Sequence, residues 1–141
     1  KSERLTMFDT KIAIIVRDDL ATWQKLNVTA FLMSGITGAN PNLIGDVYKD
    51  KDGKAHLPMS VQPVIVLTGA ANVLTNIRNR AHDRGIETVA YIEEMFATGH
   101  DEANRAVFAE HTVDEANTVG MALRAEKKIV DKITKGAKMH G

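Results

Sequence analysis

Residues 11–17, KIAIIVR, form an almost unbroken apolar run rich in Ile and Val. That pattern belongs to a strand covered on both faces, and so to the middle of a sheet. The run stops at a polar corner, RDDL, after which Leu26, Phe31, Leu32, Met33 and Ile36 recur among Ala and small polar residues. The length and wide apolar surface of this segment predict a deeply buried helix ending near Gly35 or Gly38. From residue 40 to 60 the character changes to turn formers, Asn-Pro and then GDVYKDKDGKAHLP. Asp52-Gly53 between short segments able to pair predicts a protruding hairpin. Its aspartates lack the remaining ligand positions of a calcium loop, so a plain turn is expected.

Residues 63–67, PVIVL, read as the next buried strand, and Val73, Leu74, Ile77 and Ala81 follow at helical spacing with Gly85 as terminator. IETVAYI, residues 86–92, makes a third strand. Residues 93–117 have helical propensity with a weak apolar stripe, which predicts one or two short helices. Thr112 and Glu115 have capping-box spacing, placing a helix start near Val113. TVGMAL, residues 118–123, reads as a fourth strand on account of Gly120. A closing helix is expected over residues 125–135, with Ile129, Val130 and Ile133 toward the core and Gly136 as its stop. Alternating strands and helices call for an α/β layer structure with right-handed crossovers.

Composition narrows the function classes. At 141 residues the chain has the length of one domain. We expect a loose tail over residues 1–10 and a single domain over 11–141. With no cysteine, disulfides, thiolate zinc sites and thiol nucleophiles are absent, which fits a reducing, cytoplasmic setting. No apolar run reaches the length of a membrane span. Eighteen basic and 18 acidic residues cancel, unlike the cationic body of a dedicated nucleic-acid binder. The local excess of Arg124, Lys127, Lys128, Lys132, Lys135 and Lys138 reads first as a solvated helix face.

The opening KIAIIVRDDL followed at once by a helix, the later PVIVL, the helix ending near RGIETVAYIEE, and the closing TVGMALRAEKKIVDKITKG together resemble type 2 peptidyl-tRNA hydrolases over residues 11–138. The chain is more similar still to a bacterial family of unknown function that shares this hydrolase-like fold. That family has a similar strand and DL corner, an asparagine like Asn27 with Ala30 in the next helix, a G-D-V and D-G hairpin like residues 45–53, and a similar terminal helix. The resemblance implies a three-layer sandwich around a mixed, mostly parallel sheet of about four strands. Partners consistent with it are a second copy of the chain, a small-molecule ligand and tRNA.

The departures bear on activity. Where the hydrolases open the first helix with a glycine-lysine-rich turn, this chain has Ala21-Thr22-Trp23-Gln24-Lys25, of which Lys25 matches a family lysine. Their glutamine and histidine positions fall among residues 29–33. An aspartate, a glycine and a basic-threonine pair follow their third strand, whereas this chain has Glu93-Glu94-Met95-Phe96-Ala97-Thr98. Glu94 or Glu93 replaces the aspartate and Thr98 matches the threonine, while the glycine and the basic residue are gone.

Lys25, Glu94 and Thr98 are thus the candidate catalytic residues. A lysine and a carboxylate from neighbouring strand ends orient water or act as an acid and base pair, or else form a structural salt bridge. Arg17, Asp18, Asp19, Asn27 and Glu93 are candidate ligand-binding residues. Asp18 or Asp19 equally suits the cap of the coming helix, and Asn27 needs hydrogen-bond partners if it is buried. The histidines lack zinc-site spacing, so neither a metal nor a cofactor is implied. A binding protein with an incomplete catalytic set is the reading carried forward, beside a remodelled acyl-ester hydrolase and a homodimeric interaction protein.

Overall fold

The computed structural model describes residues 9–141; the expected tail lies outside them except for its last two residues, and Thr10 already opens the first strand. In chain order the elements are β1 (Thr10–Arg17), α1 (Thr22–Ala39), a short hairpin of β2 (Tyr48–Lys49) and β3 (Ala55–His56), β4 (Val64–Gly69), α2 (Ala71–Asp83), β5 (Thr88–Ile92), α3 (Asp101–Ala109), β6 (Thr118–Glu126), α4 (Lys127–Ile133) and β7 (Lys138–Met139). The apolar run is central, as expected. β1 pairs with β4 on one side and β6 on the other, in a sheet of order β5, β6, β1, β4, β7. Alternate residues feed two cores. Ile12, Ile14 and Val16 pack under α1 with Tyr91 and Ala122. Ala13 and Ile15 pack with Met121 and Leu123 against Leu74 and Ile77 of α2 and Val130 and Ile133 of α4. Helices therefore cover both faces of a mixed sheet.

The sheet is larger and less parallel than expected. It has five strands, and β1 with β4 is its one parallel pairing among the described residues; β1–β6, β5–β6 and β4–β7 are antiparallel. After β5 the chain stays at the edge where that strand ended, so β6 has to start there and run back between β5 and β1.

The first helix also differs. It continues past both glycines to Ala39 and stops at Asn40, whose backbone N–H and side-chain Nδ2 both donate to the Ile36 carbonyl. Only Val28, Leu32 and Ile36 are buried, while Trp23, Leu26 and Phe31 are 62%, 68% and 51% exposed. Apolar side chains stand on the outer face too, so burial is one-sided rather than deep. Gly120 permits the close approach on the inner face. A Cβ there would lie 2.5 Å from Val28 Cγ1 and 3.0 Å from Leu32 Cδ1.

Neither aspartate caps α1. Its N-cap is Ala21, whose N–H donates to the Gln24 side chain at 3.0 Å. Thr112 and Glu115 do close a capping box, with Thr112 N–H donating to Glu115 Oε1 and Glu115 N–H to Thr112 Oγ1. The box holds a single turn and no helix follows. Residues 125 and 126 extend β6, which shortens the closing helix to Lys127–Ile133. Arg124 leaves the expected basic face for the interior, donating to Gln62 Oε1 and Asn40 Oδ1, while Gln62 donates to the Thr10 carbonyl. The hairpin forms with Tyr48 opposite His56 and a turn at Gly53, whose φ of 81° suits glycine. Among the described residues no helix is long and apolar enough to cross a membrane.

Candidate functional site

β6 is antiparallel to both β1 and β5, and β4 is parallel to β1. Hence β1, β4 and β5 all point their C-terminal ends at one edge of the sheet, the usual working edge of open α/β sheets. Arg17 closes β1 there. Its side chain, 13% exposed, donates from Nε to Asp19 Oδ1 at 2.6 Å and from Nη2 to Glu93 Oε1 at 2.7 Å. Burial alone would lower the guanidinium pKa, but the two carboxylates outweigh it and raise it. A guanidinium satisfied in this way is a clamp between β1 and the end of β5 rather than a free receptor for an anion.

Glu94 follows in the 3-10 turn Glu93–Ala97. Asn117, just ahead of β6, binds this turn twice. Its carbonyl accepts from Glu93 N–H at 2.8 Å, and its Nδ2 donates to Glu94 Oε2 at 3.0 Å. His111 Nε2 stands 3.6 Å from the same oxygen, and His111 Nδ1 lies 2.9 Å from the Val107 carbonyl, which fixes the ring. With Nδ1–H spent on that carbonyl, Nε2 presents a proton to Glu94 only when the ring is charged. Glu94 Oε1 is buried and has no hydrogen-bond partner among the described residues. A buried carboxylate oxygen without a donor is a costly, unsatisfied acceptor.

The other sequence candidates lie apart from this cluster. Lys25 Nζ is 3.2 Å from His140 Nε2, beyond β7, and no hydrogen bond or ion pair joins it to Glu94. Thr98 Oγ1 donates to the Met95 carbonyl and touches the Asn104 amide, tying the turn to α3. The backbone N–H of Asp18 donates to the Gly69 carbonyl, and its side chain is exposed. Asn27 is exposed on α1, so the demand that burial would have made does not arise. Sequence reasoning placed Arg17 and Glu93 in one group and chose Glu94, but missed His111 and Asn117. Neither is near Glu94 in the chain; the capping-box turn at Thr112, which sets where His111 can point, is the one local signal. Among the described residues no three His, Asp or Glu side chains converge as a metal site.

Residues 10–141 match the family model described as "Protein of unknown function (DUF2000)". Among solved structures, the chain is similar to a protein of unknown function, Atu0240, from Agrobacterium tumefaciens strain C58. The two are 59% identical with a TM-score of 0.94, over 95% of this chain and 99% of that one. No curated protein matches. A match spanning the whole described domain carries the conclusion that this chain belongs to the DUF2000 family of proteins of unknown function.

Proposed function

We propose that the strand-end edge binds a small ligand that brings a hydrogen-bond donor or a cationic group to Glu94. The observation that supports this is the buried Glu94 Oε1 without a donor, beside an Oε2 already held by Asn117 and faced by His111. Arg17 supports the reading from the other side: its Nε–H and one Nη2–H go to Asp19 and Glu93, so two carboxylates face its one charge at this corner. Kinship with the type 2 peptidyl-tRNA hydrolase fold and a cytoplasmic setting belong to the same reading. Lys25 and Thr98 have other partners, which weighs against the acyl-ester hydrolase.

The test is a thermal-shift series with simple amines and guanidines, ethanolamine and methylguanidine first, on the wild type and Glu94→Gln. We expect saturable stabilisation of the wild type that the variant loses, with the ligand-free melting point nearly unchanged. Equal shifts in both proteins, or none in either, would sink the proposal. A peptidyl-tRNA hydrolysis assay beside it covers the alternative: turnover lost in both Glu94→Gln and Lys25→Ala would establish a remodelled hydrolase. A second reading, a homodimeric interaction protein, is favoured by the exposed Trp23, Leu26 and Phe31 on α1.

A further inference from the structure

Three arginines stand on α2, and their surroundings differ. Arg80 donates to the Ile133 and Lys135 carbonyls at the end of α4, and Arg84 to the Arg80 carbonyl. Arg78 is part-buried. Its Nη1 donates to Thr118 Oγ1 at 2.9 Å, and its guanidinium lies 5.5 Å from the centre of the Phe108 ring. Those are its side-chain partners among the described residues, and neither is a carboxylate.

A guanidinium has five N–H donors and keeps its charge in proteins. At Arg17 two carboxylates more than offset burial, whereas at Arg78 burial lowers the pKa and nothing offsets it. A part-buried cation without a counter-ion costs the fold free energy, and an anion that reached it would recover some of that cost.

Arg78 lines a cleft of about 410 Å³, within the range of small-molecule sites. His82 stands one turn further along the same face of α2. Ile86, Glu87 and Thr88 lead into β5, and Val113 comes from the capping-box turn. None of Arg17, Glu93, Glu94, His111 or Asn117 lines the cleft. The Glu87 carboxylate sets one negative charge against the guanidinium, so a monoanion suits this lining better than a phosphate dianion. Ile86 and Val113 add an apolar wall.

We propose that this cleft binds a small monocarboxylate with a short apolar body, its carboxylate paired with Arg78 and its body against Ile86 and Val113. The planar fork of a guanidinium matches the two oxygens of a carboxylate.

Benzoate is the probe, with benzamide as its neutral isostere and inorganic phosphate as the competing anion. Titrated into the ¹⁵N-labelled full chain, benzoate is expected to shift the amides of His82, Ile86, Thr88 and Val113 and the Arg78 Nε–H resonance saturably, while benzamide leaves them in place. Arg78→Lys, which keeps a charge but not the fork, should weaken binding about ten-fold or more, the worth of a hydrogen bond to a charged group. Should that variant lose its fold along with the Thr118 bond, Thr88→Trp carries the test. It sits at an exposed position of the lining and should block the benzoate shifts while the rest of the spectrum stays native. Absent shifts, equal shifts with benzamide, or shifts that survive in Thr88→Trp would leave Arg78 as a structural tie to Thr118 and overturn the assignment. Phosphate moving the same signals at lower concentration than benzoate would overturn the choice of a carboxylate. Because Glu94 lies outside the cleft, Glu94→Gln should leave benzoate binding intact, so the two sites fail separately.

Discussion

Single residues decide how closely α1 and the sheet meet. Gly120 sits opposite Val16 in the β1–β6 register, directly under α1. A Cβ at Gly120 would overlap Val28, which is itself fully buried and cannot swing away. We expect Gly120→Ala to cost about 1–3 kcal/mol by overpacking, read as a lower urea midpoint with an unchanged slope. A neutral result would mean that α1 stands off the sheet. In the sequence this glycine argued for a strand, and the strand is there, but its role as contact surface was invisible because Val28 lies on an element nearly a hundred residues earlier. The same limit hid the Glu94 cluster: the carboxylate was legible as a substitution within a family pattern, whereas His111 and Asn117 reach it through folding alone.

At the scale of elements, legibility followed burial on both sides. β1 was readable because neither face meets water, so no polar residue interrupts its run. α1 was misread because Leu26 and Phe31, well exposed in the fold, look in sequence the same as buried residues. The hairpin was readable from turn chemistry, and its stability has a pH signature. Asp50 accepts from the His56 ring at 2.9 Å and from the backbone N–H groups of Lys54 and Asp52 at 3.0 Å. These bonds, the His56 one foremost, lower the Asp50 pKa below the ordinary carboxylate value. A lowered carboxylate contributes stability above the unfolded pKa of about 3.9 and loses it as pH falls through the folded value. We therefore expect the amide protons of Asp52 and Lys54 to lose protection reversibly on acidification below about pH 4. The β1–β6 amides should stay protected in the same samples. Asp50→Ala should show the loose hairpin already at neutral pH; protection independent of both pH and this substitution would remove Asp50 from the account.

For the whole molecule, the open question of partners turns on α1. Trp23 and Leu26, three residues apart, share its outer face, while Phe31 stands half exposed at its side against Tyr91, and such exposed apolar patches mark interaction surfaces more often than scattered single residues do. A second copy is the simplest occupant, because a twofold axis across the helix would set each apolar patch against its own image. Leu26 separates this idea from both ligand proposals, since it belongs neither to the Glu94 cluster nor to the lining of the cleft at Arg78. In a monomer, replacing a side chain 68% exposed by lysine leaves stability within about 0.5 kcal/mol. In a dimer, the same change buries two unpaired ammonium groups at the contact, which are costly to desolvate. Sedimentation velocity across a hundred-fold range of concentration is thus expected to show a wild-type dimer and a Leu26→Lys monomer with the same melting transition when dilute. A wild type that stays monomeric throughout, or a variant that dimerises as well as the wild type, would move the interface off α1 and leave its outer face as ordinary surface.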